Sequence, residues 1–342
     1  MNLEFIRKLP IPAEIKKLYP QTSNMAEVKS KIDIELCKIF SGESDRLVLI
    51  IGPCSADYEN SILEYVSRLK KLQEQVKDKL LLIPRVYTGK PRTHSNSYKG
   101  MLHQPNPTQK PDMLEGIIAI RKLHMKIAKK FDMATADEIL YPENYRYLSD
   151  LLSYATVGAR SIENQEHRLI ASGVTIPVGM KNPISGNLSV MLDAISTAQC
   201  QHTFIYRGWE IQSHGNPFVH AILRGYLDKY GHYIPNYHYE DLELLCGIYE
   251  QRNLKNPAVI IDTNHANSGK LYNEQIRICK EVLYNCKLSS KIHKLVKGFM
   301  IESYLESGSQ SVDGNVFGKS ITDPCIGWDD TEQLIFDIAN FC

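Results

Sequence analysis

Along the chain, short uninterrupted apolar runs alternate with longer stretches that repeat apolar residues at helical spacing. The runs cover residues 47–51, 81–86, 133–136, 156–159, 176–180, 203–206, 258–261 and 298–301. Leu47-Val48-Leu49-Ile50-Ile51 typifies them, apolar without alternation, as suits a strand buried on both faces. Helices are predicted over 60–76, 113–130, 144–154, 165–172, 188–198, 239–251, 273–284 and 330–340. Eight strands joined by helical crossovers predict an α/β fold, a (β/α)8 TIM barrel with an N-terminal helical extension. Reactive residues stand at the ends of seven runs: Cys54, Arg85 with Lys90 and Arg92, Glu138, Arg160, Lys181, His265 and Glu302. A barrel keeps its chemistry at the carboxyl ends of its strands, so this pattern gathers them on one face. A doubly wound open sheet, the main rival, gives no reason for reactive groups at so many successive strand ends.

Residues 1–45 read as an extension, an oligomerisation or regulatory arm, and 46–342 as the catalytic barrel. Helices are predicted in the arm over 12–18 and 25–40, broken at 20–24, with Ser23 or Asn24 as the cap. The connections 88–112 and 207–236 are long and rich in Pro, Gly, Asn and His, and long loops in compact domains are usually functional, disordered or docked against a neighbour.

Composition narrows the class. The 342 residues suffice for one large barrel and an appendage. A net charge of +1 leaves no electrostatic case for nucleic acid or a membrane surface as partner. No apolar run approaches a membrane span, and residues 1–20 lack the apolar core of a signal peptide. Eight scattered cysteines without a Cys-x-x-Cys pair read as reduced thiols of a cytoplasmic protein.

Two kinds of chemistry stand out. Cys54, His265, Glu302 and Asp323 are metal-ligand types on or after predicted strands one, seven and eight, which are neighbours in a closed barrel. A mixed set of this kind suits one divalent ion of intermediate softness per subunit, such as Mn, Fe, Co, Zn or Cu. Each also has a plainer reading: an inert thiol, a turn cap, a partner for lysine, a Thr-Asp-Pro turn. The cations Arg85, Lys90, Arg92, Arg160, Lys181 and Arg224 lie at the same strand ends and in the long loops. Buried cations need matching anions, and arginine favours bidentate contact with carboxylate or phosphate. The cluster implies a substrate with several anionic groups. Lys181 also leaves open a Schiff-base aldolase.

Seven segments in unbroken order resemble a known family. They are Ile51-Gly52-Pro53-Cys54-Ser55, Lys90-Pro91-Arg92-Thr93, Gly158-Ala159-Arg160-Ser161, Pro177-Val178-Gly179-Met180-Lys181-Asn182, Ile222-Leu223-Arg224-Gly225, Asp262-Thr263-Asn264-His265-Ala266-Asn267-Ser268 and Gly318-Lys319-Ser320-Ile321-Thr322-Asp323. Together they resemble the type I 3-deoxy-D-arabino-heptulosonate 7-phosphate (DAHP) synthases, in their larger feedback-regulated branch, from about residue 31 to the carboxyl terminus. The resemblance implies a metal-dependent condensation of phosphoenolpyruvate with erythrose 4-phosphate, the first step toward chorismate and the aromatic amino acids. It implies Cys54, His265, Glu302 and Asp323 as ligands, Asp323 lying against substrate as well. Arg85, Lys90 and Lys181 would surround the phosphoenolpyruvate carboxylate, Arg160 and Arg224 its phosphate with Glu138 close by, and Arg92 and Thr93 would contact erythrose 4-phosphate. Lys90 and Glu138 would handle protons and water. It further implies a homodimer or homotetramer, and an aromatic amino acid inhibitor near Tyr145, Val174 and Thr175. The stretches 94–97 and 207–217 depart from the better-known members. The eight-carbon sugar acid synthase, which takes arabinose 5-phosphate, is disfavoured by Lys90-Pro91-Arg92-Thr93 and the long arm. A non-catalytic barrel that binds a phosphometabolite is the remaining alternative.

Overall fold

The computed structural model describes residues 2–91 and 97–342. The eight barrel strands, numbered here in words, are Leu47–Gly52, Leu80–Pro84, Thr135–Glu138, Leu152–Val157, Val178–Lys181, Val219–Leu223, Val259–Asp262 and Val296–Glu302. Strands three to eight pair in parallel with their neighbours in sequence, the eighth pairs with the first, and the first with the second. The ring closes between strands two and three at the Arg85–Ala136 bridge, where Val86 N donates to Ala136 O at 2.9 Å. The (β/α)8 barrel expected from the apolar runs is therefore present.

The core has two layers. Strand residues facing outward pack against the crossover helices, such as Glu59–Val76, Met113–Phe131 and Trp328–Phe341. Inward-facing Val48, Ile50, Leu81, Ile83, Tyr154, Ile222, Ile260 and Met300 fill the barrel, and Leu36, Ile39 and Phe40 join them. Those last three belong to the arm helix Ser23–Ser41, which closes the amino-terminal mouth of the barrel. Phe40 stacks on His220 with ring centroids 4.2 Å apart, and His220 accepts or donates at 2.8 Å with the Tyr154 hydroxyl. The first arm helix, Pro12–Leu18, lies along Pro142–Leu148, and Arg121 ties the linker between the arm helices down through Tyr19 O and Asp150.

Four readings need correction. The sixth barrel strand is Val219–Leu223, inside the supposed connection 207–236. Residues His202–Tyr206 form instead a two-stranded antiparallel ribbon with Trp209–Ser213. The ribbon is solvated on alternate residues, whereas Val219–Leu223 is buried throughout. The polar His220 had broken its apolar run. Strand four is Leu152–Val157, so the helix before it ends at Leu148 and does not reach 154. Strand three sits two residues later than read and ends on Glu138 itself. The long arm helix is capped by Thr22, whose hydroxyl accepts from Met25 N at 3.3 Å.

Candidate active site

The carboxyl ends of strands one, two and eight meet first. Glu302 closes strand eight with both oxygens engaged, Oε1 accepting from Arg85 Nη2 at 3.0 Å and Oε2 from Asn264 Nδ2 at 2.6 Å. Arg85 also donates to the carbonyls of Pro53 and Cys54, so it pins the Gly52-Pro53-Cys54 turn that carries the thiol. Gly52 is required there, since a Cβ would stand 2.4 Å from Arg85 O. Cys54 Sγ accepts from Lys90 Nζ at 3.1 Å. Burial, and then Glu302, push its thiol above the usual range. The ligand atoms of Cys54, Glu302 and Asp323 lie within 4.8 Å of one another.

Strands five and seven build the second half. Asp262, fully buried at the end of strand seven, accepts from Lys181 Nζ at 2.9 Å and lies 3.0 Å from His265 Nδ1. Burial alone would raise this carboxyl, but His265 and Lys181 reverse that and hold it well below the usual range. His265 sits in the left-handed region at φ 56. Burial lowers its ring below the ordinary histidine value. With Nδ1 tied to a carboxylate, its Nε2 is the nitrogen left to face a ligand, the arrangement usual for metal-bound histidine.

One aromatic ring lies beneath the cations. Arg85 Cζ is 3.9 Å from the Tyr87 centroid, Lys181 Nζ 5.9 Å and Lys90 Nζ 6.0 Å, and the Tyr87 hydroxyl is held by Thr156 Oγ1 at 2.7 Å. A ring face stabilises cations crowded above it. Arg224 follows strand six, with burial lowering its guanidinium pKa and Asp262, Arg160, Glu302 and Glu138 in its field. Arg160 is exposed, contrary to the expectation of a buried cation. It stands past the end of strand four, where the chain turns outward after Gly158. A Cβ on Gly158 would lie 2.6 Å from Glu138 Oε1, so glycine makes the room that Glu138 occupies.

The structure thus brings Cys54, Arg85, Lys90, Lys181, Glu302, Asp323 and Arg224 to one face, with Glu138 and Arg160 at its edge. His265 is on the same face but outside the three-residue cluster. Arg92 and Thr93 lie outside the described residues, as do positions 94–96 of the divergent stretch. Asp262 and Asn264, which orient Lys181, His265 and Glu302, are functional residues that the motifs alone do not single out. The signal was there: Asp262 is an acid closing an otherwise apolar run. Away from this face, a groove of about 490 Å³ is lined by Tyr145 and Val174 together with Pro12, Lys16, Phe204 and Ile211. Thr175 is exposed beside it and is not among the lining residues.

Comparison with known proteins adds three findings. A family model described as the DAHP synthetase I family matches residues 19–335. A phospho-2-dehydro-3-deoxyheptonate aldolase of Haemophilus influenzae is 36% identical over 99% of this chain and 93% of its own length. The Phe-sensitive aldolase of that name from Escherichia coli K12 is 35% identical (99% of this chain, 96% of its own), and the Trp-sensitive one 33% (98% and 95%). Among solved structures, the aldolase of Francisella tularensis SCHU S4 superposes with a TM-score of 0.91 at 28% identity, covering 100% of this chain and 98% of that one.

Proposed function

The chain belongs to the DAHP synthetase I family, and from that membership we infer that it condenses phosphoenolpyruvate with D-erythrose 4-phosphate and water, releasing phosphate. This is the first step toward chorismate and the aromatic amino acids. The observation that carries the reading is the convergence of Cys54, Glu302 and Asp323 with Lys90 and Arg85 at the carboxyl face of the barrel.

The donor set fits a divalent ion. A buried thiol, two carboxylates and an adjoining histidine oriented by Asp262 are the donors such an ion takes. Cys54, Glu302, Asp323 and His265 would hold it, and it would supply Lewis-acid polarisation of the aldehyde. The rest of the work falls to side chains. Arg85 and Lys181 are already paired with Glu302 and Asp262, which fixes their heads in place for the phosphoenolpyruvate carboxylate. Arg85 Nε is buried with no partner among the described residues, a donor left for that carboxylate. Arg224 and Arg160, with no ion pair among the described residues, take the phosphate. Lys90 delivers a proton to the alkoxide that forms when C3 of phosphoenolpyruvate bonds to the aldehyde carbon. Glu138 orients the water that adds at C2, after which phosphate leaves. Arg92 and Thr93 are assigned to erythrose 4-phosphate on the family motif.

Phosphate release from the two substrates is expected to vanish with EDTA and return with Mn. Arabinose 5-phosphate is expected to be inert. Release that survives EDTA and can be trapped by borohydride would transfer the chemistry to Lys181 as a Schiff base. The pairing of Lys181 with buried Asp262 argues against that, since a nucleophilic amine must be free of its proton.

The groove beside Tyr145 and Val174 is the candidate inhibitor site. Tyr145 and Phe204 offer rings, and Lys16, on the arm, holds Ser149 at 2.8 Å and Asp150 at 3.3 Å and offers its remaining N–H to a carboxylate. Two relatives are named for sensitivity to Phe and to Trp, so titration with Phe, Tyr and Trp is expected to depress activity for at least one. Lys16→Ala should weaken that inhibition and leave the uninhibited rate intact. No response to any of the three would remove the proposal.

A further inference from the structure

Behind the site, on the outer side of strand three, lies a buried polar cluster that none of the assigned roles uses. Asp137 precedes Glu138 in the strand and so faces the opposite way, toward helix Met113–Phe131. Its Oδ1 accepts from Thr88 N at 2.9 Å and from Glu138 N at 2.7 Å, and its Oδ2 accepts from the Thr88 hydroxyl. His124 Nε2 stands 3.7 Å from Oδ2 with no hydrogen-bond partner among the described residues, while its Nδ1 is held by Thr135 Oγ1 at 2.7 Å. All four side chains are buried. A carboxylate taken out of water is costly unless its oxygens are used, and here they are spent on one turn and one strand end.

That turn is Thr88-Gly89-Lys90. Its other ties come from the far limb of the same loop: Leu102 N donates to Thr88 O and Lys90 N to Lys99 O, each at 3.0 Å. Gly89 is pressed against Leu140, where a Cβ would lie 3.0 Å from Cδ2. Among the described residues, only Asp137 hydrogen-bonds the turn to the strand that ends in Glu138. We propose that Asp137 is a positioning residue that fixes Lys90 relative to Glu138 by anchoring the Thr88-Gly89-Lys90 turn to barrel strand three. The inference rests on the roles given above to Lys90 and Glu138. The carboxylate sets the spacing between the group that gives a proton and the group that orients water, without touching either substrate.

The test is steady-state kinetics on the full-length, metal-loaded protein with phosphoenolpyruvate and erythrose 4-phosphate, with each variant's rate expressed per folded molecule. Asp137→Ala is expected to lower kcat about 10- to 100-fold, the scale of an ångström's misplacement. KM for phosphoenolpyruvate should rise less than kcat falls, because Lys181, Arg160 and Arg224 come from other strands. Asp137→Asn is expected to restore most of the rate. Its carbonyl can accept from both backbone N–H groups and its amide can donate to the Thr88 hydroxyl. Thr88→Val, which removes one of the three bonds, should lower kcat less, again with the smaller effect on KM. It also serves if Asp137→Ala fails to fold. A wild-type kcat in Asp137→Ala or Thr88→Val overturns the proposal, as does an equal loss in Asp137→Asn. Lys90→Met is run in parallel and should be nearly inactive. Full activity there would overturn the Lys90 assignment and this inference together, whereas an inactive Lys90→Met beside a fully active Asp137→Ala would overturn this inference alone.

Discussion

Asp57 and His220 are two buried groups whose charges the fold opposes, and they pull stability in opposite directions with pH. Asp57 is pushed up to about 6 from 3.8 by burial, although Tyr304 donates to its Oδ1 at 2.6 Å. Its Oδ2 has no hydrogen-bond partner among the described residues. The folded state therefore binds this proton more tightly than the unfolded chain. The protonated group favours the fold below 3.8, and that advantage is lost as pH rises through about 6. The cost of the charge above that point is about 3 kcal/mol. His220 behaves inversely: burial depresses it to about 4 from 6.5, so stability is present above 6.5 and is lost as pH falls toward 4. In the wild-type protein the two trends offset each other across the acid range. Asp57→Asn should raise the melting temperature at pH 7.5, lose that advantage by pH 4, and so make the acid limb between steeper. A melting profile parallel to wild type at every pH would contradict this assignment of Asp57.

At the scale of elements, the arm helix Ser23–Ser41 is part of the barrel core, because Leu36, Ile39 and Phe40 complete its interior packing. Phe40→Ala should cost about 3–5 kcal/mol, the range for a large aromatic core truncation. Urea midpoints would measure it; a loss under 1 kcal/mol would mean the helix is not part of the cooperative unit. The sequence revealed these elements unevenly, for physical reasons. Strands one, two and eight were legible because they are continuous apolar runs buried on both faces. Strand six was not, because His220 finds its partners, Tyr154 and Phe40, on segments distant in sequence. Strand four was absorbed into a helix because Leu151-Leu152-Ser153-Tyr154 suits either period. The site was more legible than the fold boundaries, since cations and ligands end strands wherever those strands begin. What stayed hidden was the scaffolding of that site, Asp262, Asn264 and Asp137, whose function lies in bonds to residues far along the chain.

At the scale of the whole molecule, apolar surface is left over at two places. Leu3, Phe5 and Ile6 of the arm are exposed, Phe5 at 93%, and so are Ile205 and Trp209 on the outer ribbon. Exposed apolar groups of this size mark interfaces, and a second copy of the chain is the partner proposed for them. Deleting residues 2–11 should shift the species seen by light scattering toward monomer, while the barrel, whose plug begins at Ser23, stays folded. An unchanged mass would exclude the arm from the assembly. The filled interior has a consequence for traffic. A vessel packed solid up to its rim has a single neck, so departing products cross the ground that arriving substrates need. Inorganic phosphate, the smaller product, would then linger over Arg160 and Arg224 and compete with phosphoenolpyruvate for that ground, slowing the enzyme as its own output accumulates.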